Sequence, residues 1–350
     1  MTEPGGRSGV GLTPKQMVSF ALIFFGIGAL FLLAWQVRHV LLLLFGAIVI
    51  AVVLRSIASP FRDRLRFPDW AALIASVLTV AGVLGIAGWL VGSEVSAQVA
   101  VLADQLPAAW EDLQRRFSGT LVGDMMEALR AQADGAGIVS SLGRMGWSLG
   151  TAVIDIVIVI VAGIFLAASP QSYRTGLLKM VPRERREMAA DTIEASGRAL
   201  GLWLRGQLIQ MVLIGTLTGI GLAIIGVPSA LTLGIFAGLL EFVPFIGPIV
   251  ASIPALLLAA TQGMDTFLWT LGLYLVIQQI EGNLIQPLVQ RHAVKIPPVI
   301  LLFAILLAAP LFGLPGVLLA APLAVFVFVL VKRLYVREAL DTPTSLPGEK

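Results

Sequence analysis

Long apolar runs alternate with short basic loops along most of this chain. Met17 to Trp35, Val40 to Leu54, Trp70 to Val91, Trp147 to Ala168, Leu202 to Ile225 and Leu268 to Ile280 each read as a helix of membrane-spanning character. The first of them is longer than the ~7–15-residue core of a signal peptide and lacks a small-x-small cleavage site, so it reads as a retained span. Val40 follows directly after Arg38-His39, which makes the first two runs a tight helical pair.

Two further apolar stretches break the pattern. Ser229 to Thr261 has 33 residues, which as one helix would reach ~50 Å against a hydrocarbon core of ~30 Å. It is interrupted by Pro244, Gly247 and Pro248, and each arm alone reaches only ~20 Å. Pro297 to Val331 repeats this grammar, with its break at Pro310, Gly313, Pro315 and Gly316. Pro-x-x-Gly occurs in both, and Pro254 and Pro322 occupy comparable places in the second arms. The geometry favours two re-entrant hairpins whose tips face each other near mid-membrane, with a pair of kinked full spans as the alternative. Irregular backbone at that depth persists only when it is buried in protein or lines a wet cavity, and paired interruptions of this kind point to a transporter binding site.

Composition agrees with this class. Hydrophobic residues make up 57% and charged residues 13%, against ~45–50% and ~25% in soluble domains, and mean hydropathy is +0.92. The expected fold is an all-α polytopic integral membrane protein with about eight hydrophobic segments. The net charge is only +3, and the basic residues flank the apolar runs, which suits lipid headgroups and not nucleic acid. Without cysteine there is no disulfide or thiolate site, and His39 and His292 are the only histidines. Metal centres and His-based catalysis are therefore unsupported, no cofactor is implied, and the chain does not read as an enzyme.

Ser93 to Gly146 is a polar insert with seven acids and four bases. Val95, Val99, Leu102, Leu106, Trp110, Leu113 and Phe117 recur at helical spacing, and Leu121, Met125 and Leu129 continue the stripe, so the insert is predicted as amphipathic helix. The stripe suits packing against the membrane body, a headgroup layer or another subunit. Farther on, Ala189, Ile193, Leu200 and Leu204 predict an elbow helix leading into the span at Leu202. The segments around Arg55–Arg66, Arg174–Arg198 and Lys332–Arg337 are basic, so positive-inside counting places them, with both termini, in the cytoplasm and the insert outside. Hairpins at both breaks also put Arg291 and Lys295 inside. The chain thus divides into a mobile start (1–14), three first spans (15–92), the insert (93–146), a C-terminal membrane core (147–337) and a disordered tail (338–350).

Candidate chemistry lies with charged and amide side chains inside apolar sequence. Glu241 stands three residues before the first break, and Gln278, Gln279, Glu281, Asn283 and Gln286 crowd one span end. Asp155 lies among Ile and Val, and Arg205 opens the Leu202 span. A charged group at the bilayer centre costs ~2.5–3.5 kcal/mol or more, so such acids face a cavity or a partner. Glu241 and Glu281 are the candidate proton or cation ligands, with an ion pair to Arg205 as the structural alternative. Gln278, Gln279 and Asn283 are candidate hydrogen-bonding groups for a polar solute.

The segments Glu241-Phe-Val-Pro-Phe-Ile-Gly-Pro248, Glu281-Gly-Asn283 with Pro287, and Leu311-Phe-Gly-Leu-Pro-Gly316 with Ala321-Pro322 resemble the C-terminal signature of the autoinducer-2 exporter family of permeases, the PerM-like proteins. The order of early spans, polar insert and C-terminal core is similar too. The resemblance implies an eight-span protein of the bacterial cytoplasmic membrane that exports small molecules, with autoinducer-2 the named substrate. Some relatives are assigned sodium/proton antiport, which would use the same residues. The expected partners are membrane lipid, a small polar solute, a proton or sodium, and further copies of the chain. A scaffold that docks partners through residues 93–146 is the alternative from another class.

Overall fold

The computed structural model describes residues 35–86, 154–287 and 296–344, with scattered positions between 19 and 33 and at 88–89. The chain start (1–14), most of the first apolar run, the 93–146 insert, Arg291, Lys295 and residues 345–350 lie outside the described residues. All regular structure among the described residues is helical.

Helix α1 (Arg38–Asp63) extends well past the Leu54 boundary expected from hydropathy. Arg55, Pro60 and Arg62 lie inside the helix, so the expected basic loop shrinks to residues 64–68. The helix survives Pro60 because its surroundings replace what proline removes. Pro60 cannot donate to the Ser56 carbonyl, and the Ser59 hydroxyl donates to that carbonyl instead at 2.9 Å. Helix α2 (Asp69–Ile86) follows. Helices α3 (Ile154–Ala168) and α4 (Pro170–Lys179) meet at an 88° bend, where Ser169 leaves helical geometry and Pro170 starts the new helix.

Helix α5 (Arg186–Ile225) is a single rod of 40 residues, where the sequence suggested an elbow helix joined to a separate span. Its polar first half and apolar second half share one unbroken helical face, and nothing between them stops the helix until Gly226 closes it at φ 88°. Helices α6 (Ala230–Leu240), α7 (Ile246–Gln262), α8 (Met264–Ile280) and α9 (Pro298–Leu330) complete the C-terminal half. α8 runs on into a wide π-helical turn at Glu281–Ile285, and α9 into another at Val331–Ala339.

By length and composition four of these helical stretches are apolar enough to cross a membrane: Arg38–Asp63, Asp69–Ile86, Arg183–Ile225 and Pro298–Ala339, the last of them broken at Gly313. The bent α3–α4 pair would make a fifth. Exposed Leu, Ile, Val, Phe and Trp side chains cover the described helices, as expected of a surface that faces lipid and not water.

Helix α5 organises the interior. Ala195, Ala199, Leu200 and Leu204 pack with Phe45 and Val49 of α1 and with Val325 and Val329 of α9. Farther along, Gly215 and Gly219 of α5 press against Gly234 and Gly238 of α6, two Gly-x-x-x-Gly faces in direct backbone contact. A Cβ added at Gly234 would stand 2.6 Å from the Gly219 Cα and 2.7 Å from the Gly215 carbonyl oxygen. Only glycine permits this approach.

At both interrupted stretches the chain doubles back. A Cβ at Gly247 would fall on the Leu240 carbonyl, so the start of α7 lies against the end of α6. Within α9, Gly313 has φ 65° and ψ −150°, and a Cβ at Gly316 would stand 2.6 Å from the Ala308 oxygen. Eight residues span ~12 Å of unbroken helix, so that contact requires reversal at Gly313.

Candidate functional site

The first apex follows directly from α6. Leu240 ends the helix, Glu241 to Phe245 form a turn, and Phe245 takes φ 67°, a region costly for a residue with a side chain. Its ring packs against Ile305, Ala308 and Ala320, with Phe312 and Val317 alongside, on both sides of the second break. The two apices therefore meet through Phe245.

Glu241 points inward and is fully buried; Glu281, at the end of α8, is 3% exposed. The side chain that joins them is Gln210 of α5. Its amide nitrogen lies 2.9 Å from Glu241 Oε1 and 3.0 Å from Glu281 Oε1, so it donates to both carboxyl groups. One turn earlier, Gln207 donates to the Glu241 backbone carbonyl at 2.6 Å. From α8, Gln278 donates to Glu281 Oε2 at 3.1 Å. Glu241 Oε2 is buried and has no hydrogen-bond partner.

Among the described residues no cation answers the two carboxyls. Arg205, the ion-pair partner considered from sequence, is exposed on α5, and no ion pair links it to either glutamate. It faces away because residues 205 and 207 are separated by roughly 200° around a helix of 3.6 residues per turn. Two full negative charges bridged by one amide stand within about 6 Å. At an effective dielectric of ~20 they would repel by about 3 kcal/mol. The arrangement therefore favours a positive species between or upon them.

The remaining sequence candidates are placed apart from this pair. Asn283 donates to Gln279 at 3.0 Å, and both line an open groove with Leu275, Val276, Ile280 and Leu284. Gln279 follows Gln278 by 100° around the helix, which turns it out of the glutamate pair. Asp155, at the start of α3, meets His39 Nε2 at 3.1 Å and is tied to the beginning of α1. Among the described residues no group of three His, Cys, Asp or Glu side chains could hold a metal ion.

The second apex carries no ionisable residue. The break at Gly313 leaves the Leu311 carbonyl without a helical donor, and Arg38 Nε donates to that oxygen at 3.2 Å. Arg38 also stacks on Trp35, with its guanidinium carbon 4.1 Å from the ring centroid. The sequence reading missed Arg38, Gln207 and Gln210 as site residues. The glutamines carried a signal, being three apart on one face of an apolar helix and thus forced to find partners in the interior.

The sequence profile of the AI-2E family transporters matches residues 20–335, both apices and the glutamate pair included. The chain belongs to that family. It is 25% identical to "Putative transport protein YueF" of Bacillus subtilis over 83% of each chain. It is 30% identical to "Putative transport protein YrrI" of the same organism, over 41% of this chain and 40% of that protein. It is 24% identical to "Putative permease PerM" of Escherichia coli K12, over 51% and 50%. The matched stretches thus span half or less of YrrI and PerM. Family membership and the apolar helices together make this a multi-pass membrane protein of the transport class.

Proposed function

We propose that this AI-2E family member is a permease that moves a small polar solute of the autoinducer-2 type out of the bacterial cell, coupled to a proton or cation. The observation that carries this reading is the buried Glu241–Glu281 pair at the first apex, bridged by Gln210 and without a basic partner among the described residues. Both doubled-back segments act as re-entrant hairpins in the cytoplasmic membrane, with the two chain termini in the cytoplasm. The contact of Phe245 with the second break supports treating the two apices as one site, where half-helix ends offer partial charges to a solute. Glu241 and Glu281 bind the coupling ion. Gln278 holds Glu281 in place, and Gln279 and Asn283, exposed in their groove, offer hydrogen bonds to the solute.

The test is flux in proteoliposomes under a pH gradient, with internal pH as readout and a panel of small polar solutes, with and without sodium. Solute-dependent proton movement in the wild type that is lost in Glu281→Gln and Glu241→Gln is the expected result. Sodium-dependent movement without solute would replace export by sodium/proton antiport. Retained coupling in both variants would remove the glutamates from the mechanism.

A further inference from the structure

We infer that Glu241 and Glu281 hold one proton in common, and that the pair is built to take a proton in preference to sodium. This rests on the reading of the pair as the coupling site and names its ion. Three of the four carboxyl oxygens already face amide N–H donors: Gln210 takes Oε1 of both residues, and Gln278 takes the second oxygen of Glu281. Gln207 closes the backbone carbonyl of Glu241 in the same way. A hard cation needs a shell of several oxygens, and donors aimed at the carboxylates hold such an ion away from them. Only Glu241 Oε2 is buried and without any donor, while the other three oxygens each keep a single lone pair beside an N–H. One oxygen does not make a sodium site. One proton on it makes an O–H that can be shared with the Glu281 carboxylate, the group that shares Gln210 with it.

Among the described residues the surroundings supply no other counter-charge. α6 and α7 contain no ionisable residue, and on α8 there are only Asp265 at its start and Tyr274, whose hydroxyl donates to the Ala251 carbonyl. On α5, Arg198 and Glu194 pair with each other, Asp191 pairs with Arg333, Arg186 donates to the Val181 carbonyl, and Arg205 is exposed. Gln210 is the positioning residue, since one amide nitrogen with two hydrogens fixes both carboxyls at once.

Infrared difference spectroscopy of the reconstituted full chain tests the inference without any transported solute. The wild type should show a protonated-carboxyl band near neutral pH that disappears in Glu241→Gln and also in Glu281→Gln, because either change removes the shared proton. The band should be unmoved when choline chloride is exchanged for sodium chloride, a comparison that needs no variant. Loss of the band in only one variant would assign the proton to a single residue and overturn sharing. Absence of the band, or its bleaching by sodium, would overturn the preference for a proton. Because no flux is measured, failure to find a solute and failure of this inference are separate results.

Discussion

At the first apex a glutamate is turned inward and held by side chains of another helix; at the second, an arginine from the beginning of α1 reaches the backbone. The two segments share Pro-x-x-Gly, doubled-back arms and glycines that permit close contact. They differ in what the break exposes. The first presents a carboxyl group to the interior that is answered by Gln210, while Gln207 answers the backbone carbonyl of the same residue. The second presents the Leu311 carbonyl, left without a helical donor by the break at Gly313, and is answered by the Arg38 guanidinium. The same break motif can thus carry an inward-facing acid or only a backbone contact, and the residue next to it decides which.

Gly247→Ala should break the comparison hardest. Its Cβ would meet the Leu240 carbonyl, backbone that cannot step aside, so loss of monodisperse protein in size-exclusion chromatography is expected. Gly313→Ala in the other apex meets nothing within 4 Å and carries only the strain of a φ 65°, ψ −150° backbone that essentially only glycine adopts, about 1–3 kcal/mol, so a folded protein of lowered melting temperature should be recovered. Equal losses from the two changes would mean that the apices are packed alike.

Gln210→Leu ranks next. It removes the one donor common to both carboxyls and leaves two buried acceptors short of a partner, about 1–3 kcal/mol for each. Coupled flux should fall to background while Gln279→Leu, in the exposed groove, leaves the melting temperature unchanged. Arg38→Gln should cost less, about 1–2 kcal/mol, since one carbonyl loses a charged donor at a partly buried position. With no native cysteine in the chain, a cysteine at Leu314 reports the consequence directly, and its thiol labelling should rise in the Arg38→Gln background. His39→Asn is expected to change stability least, within about 1 kcal/mol, because the His39–Asp155 pair is half exposed on its histidine side. A melting shift larger than that of Arg38→Gln would show that α3 is anchored through this pair.

Much of the architecture was legible as pattern. The apolar runs, both breaks and the special standing of Glu241 and Glu281 follow from hydropathy, from proline and glycine chemistry and from the high cost of acids in lipid. Helix ends were less legible. Pro60 reads as punctuation, yet α1 continues through it because Ser59 replaces the missing donor, a local exchange that no hydropathy window registers. The continuous α5 was missed for a related reason: a change from polar to apolar composition looks like a boundary, while the backbone ladder continues as long as no residue interrupts it.

Sequence alone determined the solvent of this protein and the places where its backbone must break, because both depend on residue type and spacing within a few turns. It also marked the two acids as exceptional. Tertiary structure decided their company. Glu241 and Gln210 are 31 residues apart, Gln210 and Glu281 are 71 apart, and Arg38 reaches a carbonyl 273 residues away. Such partnerships depend on how closely helices cross, and here the facing glycines of α5 and α6 set that distance. The choice of Gln210 over the nearby, charged Arg205 is likewise tertiary: both lie on the same helix, and only the face that packing turns inward can meet a buried acid.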